Sequence, residues 1–168
     1  MPLMQKYKIH FQFSISHLLS KKNSPFSDSF ASMADVHDSA TRSYNMSQIK
    51  GKDTKPEMLV RRYLHAQGFR YKLHDKTLPG KPDIVLPKYK TIIFVHGCFW
   101  HGHKNCKYAT IPKTRTEWWT QKIDRNKELD KINTAKLRKL GWKVIILHEC
   151  KLKPTAVEHT FKALLKSI

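Results

Sequence analysis

Residues 78–106 read LPGKPDIVLPKYKTIIFVHGCFWHGHKNC and hold two apolar runs, DIVL at 83–86 and TIIFV at 91–95, separated by PKYK. Short β-branched runs bounded by Pro, Gly and Lys are strand signals, and so short a connection makes the two a hairpin. The second run leads directly into His96, Cys98, His101, His103 and Cys106. In an antiparallel pair the start of the first strand lies beside the end of the second, so Asp83 is expected next to His96 and close to His101. A carboxylate there can hold a divalent metal against a phosphate, and a neutral histidine can take a proton from water. Taken alone, an Asp after Pro is more commonly a turn residue, and a histidine among cysteines more commonly another ligand or a surface group.

Working outward, TRSYNMSQIK at 41–50 reads as a short helix or arm ended by Gly51. Thr54 and Glu57 have capping-box spacing, with Pro56 in the first turn and Met58, Leu59, Tyr63 and Leu64 forming an apolar face before Gly68. FRYKL at 69–73 adds a strand ahead of the hairpin. Thr114 and Glu117 predict a second capping box, opening a long helix that closes at Gly141. On that helix Trp119, Ile123, Leu129, Ile132, Leu137 and Leu140 share one half of the wheel, while Lys127, Lys131 and Arg138 fall on the other. WKVIIL at 142–147 reads as a buried strand, and Pro154 to Lys166 as a last helix. The order helix, three strands, helix, strand, helix predicts an α/β fold, a mixed sheet flanked by helices.

The chain has 168 residues, enough for one domain with a core and a tail. Lys and Arg number 32 against 13 acids, a formal charge of +19, which argues against an enzyme of small metabolites and for a polyanionic partner. No apolar stretch approaches the roughly 20 residues of a membrane span. Residues 1–32 carry four lysines, one acid and seven serines, and read as a disordered extension. Met33, which opens MADVHD, is a candidate natural start, and 33–168 is read as a single domain that keeps 28 basic and 12 acidic residues.

Three cysteines, an odd number, do not make a disulfide scaffold and fit a reducing compartment. Cys98, His103 and Cys106 have the spacing C-x4-H-x2-C, and Cys150, at the end of the last strand, can return beside them as a fourth ligand. The plainer alternative makes Cys98 and Cys150 small buried hydrophobes and His103 a surface residue. Four protein ligands close a tetrahedron, so a zinc held there would be structural.

The segments MADVHDSATRSYNMSQIK, LPGKPDIV, FVHGCFWHGHKNC, TRTEWWTQKIDRNKELD and LGWKVIILHEC together make the sequence resemble the very short patch repair (Vsr) mismatch endonucleases, from about Met33 to Cys150. The resemblance implies a restriction-endonuclease-like core with a structural zinc, catalytic magnesium, and nicking of duplex DNA beside the thymine of a T:G mismatch. It implies Asp83 as principal metal-binding carboxylate and His101 as general base. Glu57 would reach metal-bound water, and His96 would lie close to the phosphate. Cys98, His103, Cys106 and Cys150 match the zinc ligands. Some relatives carry a threonine where this chain has Val95, so a magnesium ligand at that position has to be the Val95 backbone carbonyl. The second carboxylate and lysine of the common restriction-enzyme pattern are replaced by the Phe94-Val95-His96 strand end, which moves proton transfer onto histidine.

A mismatched pair stacks poorly, so an apolar wedge opens it at lower cost than a normal step. The resemblance implies Phe99, Trp100 and Trp119 as wedges and leaves the role of Trp118 open. It also implies Arg42 within an arm at 41–50. Lys50, Lys52, Lys113 and Arg115 are candidate phosphate contacts. The expected partner is duplex DNA and the expected state a monomer in the bacterial cytoplasm, at the nucleoid. Two other readings compete: a non-catalytic zinc module that binds DNA, and a restriction-type enzyme cutting unmismatched sites.

Overall fold

The structure, a computed structural model, describes residues 38–168, within the unit Asp35–Ile168. The expected extension at 1–32, the start at Met33 and the side chain of Arg42 lie outside what is described. Helix α1 (Ser39–Ser47) begins two residues earlier than the sequence suggested, because the Asp38 side chain accepts from Thr41 N (2.6 Å) and caps it.

Helix α2 (Lys55–Ala66) opens on the expected capping box between Thr54 and Glu57, with Pro56 in its first turn. Its inward stripe is Glu57, Val60, Arg61 and Leu64, an i, i+3, i+4, i+7 series. Leu59, expected on the apolar face, is 39% exposed: the stripe centres on Val60 and Leu64, which turns Leu59 away.

Strands β1 (Lys72–Leu73), β2 (Ile84–Leu86), β3 (Thr91–His96) and β4 (Lys143–His148) form one sheet in the order β1-β2-β3-β4. Strands β2 and β3 pair antiparallel with Ile84 opposite Ile93 and Val85 opposite Ile92, the expected hairpin, closed by a single 3-10 turn at Pro87–Tyr89. Strand β4 runs parallel to β3, with His96 beside His148. A parallel neighbour needs a crossover, which helix α3 (Thr116–Lys139) supplies. Side-chain alternation then sorts the core. Ile84, Leu86, Ile93 and Val95 pack with Val60 and Leu64 of α2 and with Phe161 and Leu164 of helix α4 (Val157–Ser167). Val85, Ile92 and Phe94 pack on the other side with Leu137 of α3. Every residue of β3 is buried because helices cover both faces, and each large apolar side chain so enclosed contributes about 1.5–3 kcal/mol.

Four further expectations are corrected. Only Lys72–Leu73 of FRYKL is strand, and both residues are exposed. The last strand is not buried: β4 is an edge strand with Ile146 38% exposed. Helix α3 lacks the second capping box, since Arg115, in the left-handed region at φ 53°, holds the cap position without a side-chain bond. Instead the Thr116 hydroxyl donates back to the Pro112 and Lys113 carbonyls (3.0 Å each). Leu129, Ile132 and Leu140 are 45%, 42% and 58% exposed, leaving Ile123, Thr134 and Leu137 as the buried stripe. The cause is angular: at 100° per residue Ile123, Asp130, Thr134 and Leu137 fall within about 60° of one another, while Leu129, Ile132 and Leu140 point about 60° or more away from that stripe. Among the described residues no helix is long and apolar enough to cross a membrane.

Candidate active site and metal centre

Because β2 enters where β3 leaves, Asp83 meets the end of β3, and its Oδ2 accepts from the Val95 amide at 2.8 Å. Burial pushes the Asp83 carboxyl above its usual range; the Val95 bond opposes that and the charge of Glu57 adds to it. Asp83, Glu57, Val95, His96, His101 and Trp100 line one cleft of about 1350 Å³, larger than a small-ligand pocket needs. The structure thus brings together the residues the sequence singled out for chemistry.

His96 and His101 stack at 3.6 Å between centroids and 9° between planes. His101 Nδ1 lies 2.6 Å from Asp130 Oδ2, a residue of α3 not singled out from the sequence. Burial alone raises the Asp130 carboxyl, but the hydrogen bond and charge of His101, aided by His96 and His148, outweigh it and hold the group below its usual value. Burial, reinforced by His101, pushes His96 down to about 3, so it is neutral near pH 7. A His–Asp bond at Nδ1 fixes the tautomer and leaves Nε2 as the acceptor. Ile123, Asp130 and Leu137 lie seven apart on α3, and a carboxylate on an otherwise buried stripe was the signal available for Asp130.

The predicted metal ligands also converge. Cys98 Sγ, His103 Nδ1, Cys106 Sγ and Cys150 Sγ all lie within 4.8 Å of one another. His103 Nδ1 is 3.6 Å from Cys98 Sγ and 3.4 Å from Cys150 Sγ. Zinc bonded to sulfur at 2.3 Å and nitrogen near 2.05 Å sets that edge at about 3.6 Å, so the donor set fits a tetrahedral ion. Burial pushes the Cys98 thiol up to about 12, while the Tyr108 amide beside Cys106 lowers that thiol. Gly102, between the two histidines of this loop, has φ +54°, and a Cβ there would sit 2.7 Å from Ile123 and Lys127 side-chain atoms. The loop therefore lies directly on α3, which brings His101 to Asp130.

His148 stacks on His103 (3.8 Å, 7°) and meets His96 edge-on at 6.0 Å. Nothing in the sequence marked it, because its place follows from the parallel register of β3 and β4.

The aromatic residues gather around Trp100, which lines the cleft. Phe99, Trp100 and Trp119 contact one another with centroids 5.1 to 6.0 Å apart, all half-buried. Asn126 Nδ2 donates to the Trp100 carbonyl (2.9 Å) and ties this loop to α3. Trp118 is 45% exposed, packs on Trp119 and carries the Arg115 guanidinium over its ring. Lys50, Lys52, Lys113 and Arg115 are all exposed, and Lys50 borders the cleft.

Comparison with known proteins identifies the family. The profile of the family "DNA mismatch endonuclease Vsr" matches residues 34–107. The type II nicking enzyme V.NmeAIP of Neisseria meningitidis serogroup A is 51% identical over 125 residues, 74% of this chain and 89% of the relative. The DNA mismatch endonuclease Vsr of Escherichia coli K12 is 47% identical over 121 residues, 72% and 77% of the two chains. The type II nicking enzyme V.XorIIP of Xanthomonas oryzae pv. oryzae is 46% identical over 111 residues, 66% and 81%. With relatives this similar over most of their own length, the chain belongs to the Vsr family of DNA mismatch endonucleases.

Proposed function

We propose that the protein is a magnesium-dependent endonuclease that nicks duplex DNA beside the thymine of a T:G mismatch and so starts very short patch repair. The observation that carries this reading is the cleft in which a buried Asp83, tied to Val95 N, stands with the His96–His101–Asp130 cluster beside exposed lysines. A hairpin that delivers a carboxylate to a mixed sheet flanked by helices also supports a restriction-endonuclease-like core.

In the mechanism, Asp83 and the Val95 carbonyl are the residues that would hold Mg²⁺, an ion that seldom draws all its ligands from protein. When bound, the ion supplies electrostatic stabilisation of charge developing on the scissile phosphate. His101, bonded to Asp130 through Nδ1, takes the proton of the attacking water at Nε2. His96, held neutral, packs on the His101 ring without repelling the imidazolium that forms. The Cys98, His103, Cys106 and Cys150 set would hold a structural zinc, since four protein donors leave no position for substrate.

Phe99, Trp100 and Trp119 form the wedge that opens the weak pair, and the exposed lysines and Arg115 bind phosphates without reading sequence. The protein acts as a monomer, with 33–168 as the working domain. Residues 41–50, with Arg42, form an arm that clamps the groove opposite the wedge.

The test compares T:G and T:A duplexes that are otherwise identical, with Mg²⁺ and with a chelator. Nicking of T:G alone, and only with metal, is expected. Equal cutting of both duplexes would favour the restriction-type reading, and binding without cutting would favour the non-catalytic module.

A further inference from the structure

Glu57 makes more contacts than a helix cap requires. Its Oε1 accepts from Thr54 Oγ1 (2.8 Å) and Thr54 N (3.4 Å), and its Oε2 from Asp53 N (3.1 Å) and Arg61 Nη2 (2.8 Å). A carboxylate offers about four acceptor directions, so four donors use all of them. A group so engaged has no free acceptor direction left to take a proton from water. Its carboxylate is held in a fixed place by four donors.

Arg61 is what completes that arrangement. Glu57 and Arg61 are each 4% exposed, one helical turn apart on the inward stripe of α2. The other guanidinium nitrogen donates to Asp53 Oδ1 (2.5 Å), and Nη2 also lies 2.8 Å from His74 Nε2. Asp53, Glu57 and His74 approach one another as metal ligands do, but the guanidinium already sits among them as the resident cation. Arg61 Nε is buried without a hydrogen-bond partner among the described residues, so the fork is oriented by its terminal nitrogens at the expense of the third.

We infer that Arg61 is a positioning residue that locks the Glu57 carboxylate as a fixed charge beside Asp83, where it strengthens the hold on a divalent cation instead of transferring a proton. Glu57 and Asp83 line the same cleft, where the charge of Glu57 raises the Asp83 carboxyl and that of Arg61 lowers it. A lysine cannot replace this residue, because one ammonium cannot hold Glu57, Asp53 and His74 in a planar fork. The inference rests on the proposed nuclease reading and deepens it by assigning Arg61 a role through Glu57.

The experiment is a double-mutant cycle in the full chain: wild type, Glu57→Gln, Arg61→Met and the double variant, with Arg61→Lys as a charge-conserving control. Single-turnover nicking of a T:G duplex in Mg²⁺, duplex affinity, and Mn²⁺ bound to DNA-free protein by electron paramagnetic resonance are measured. Arg61→Met is expected to slow nicking and weaken Mn²⁺ binding by about tenfold or more with duplex affinity within about twofold, and Arg61→Lys by less. In the Glu57→Gln background the same change should cost less than about twofold further, since its target is already gone. Equal losses in both backgrounds, or a folded Arg61→Met variant at wild-type rate, would overturn the inference. If Arg61→Met does not fold, Arg61→Lys with and without Glu57→Gln completes the cycle under the same criteria. A wild-type protein that fails to nick T:G in Mg²⁺ defeats the nuclease reading instead, and the Mn²⁺ cycle then still decides whether Arg61 acts through Glu57.

Discussion

Two pairs of stacked histidines lie on neighbouring strand ends, alike in geometry and unlike in company. His96 and His101 stack at 3.6 Å and 9°; His103 and His148 stack at 3.8 Å and 7°. The first pair meets Asp130 and an open cleft containing Asp83, whereas the second meets three cysteine sulfurs. Among thiols an imidazole completes a closed donor set. Beside a carboxylate the same ring is fixed in one tautomer and keeps a nitrogen for chemistry. Stacking places these rings, and their neighbours decide what each can do.

The strongest way to break the contrast is Asp83→Ala, expected to reduce nicking of a T:G duplex to background while thermal melting and duplex binding persist. Full activity in a folded variant would remove Asp83 from the mechanism. Next, His101→Ala is expected to slow single-turnover nicking by about 10² to 10⁴, the range for a lost general base. A loss of that size accompanied by global unfolding would instead assign His101 to the fold.

A smaller effect is expected at the aromatic cluster. Replacing Phe99 and Trp100 with alanine should lower the preference for T:G over T:A by roughly 10- to 100-fold, about 1–3 kcal/mol of stacking, with the salt dependence of binding little changed. Parallel loss of affinity for both duplexes would mark the two rings as core. The cysteine side is sharpened by Cys150→Ala. Wild-type protein should contain close to one zinc per chain and the variant far less, with each kcal/mol of lost stability lowering the melting midpoint by roughly 2–4 °C. Metal-free protein melting at the wild-type temperature would show that the cluster is not a structural metal site.

How much could be read in advance depended on whether a residue's place was set locally. The Thr54–Glu57 box and the 83–96 hairpin are determined by spacing within a few residues, and both formed as expected. The return of Cys150 to Cys98 was also legible, because the other three candidate ligands are local and only one was lacking. Asp130 was missed because its meaning depends on which face of α3 meets the loop at Gly102, and that contact is set by packing between distant segments. Arg61 was hidden differently: arginine at that position looks like ordinary helix surface until Asp53 and His74 close over it. The exposed edge of β4 and the outward turn of Leu129, Ile132 and Leu140 follow from which strand ends the sheet and which stripe of α3 meets it, and apolar patterning encodes neither.

The bond from Val95 N to Asp83 Oδ2 makes one backbone hydrogen answer to a side chain. Its rate of exchange for solvent deuterium therefore depends on how firmly that carboxylate holds it. A single resonance at Val95 becomes an internal gauge of the cleft, readable with no DNA present and without any turnover.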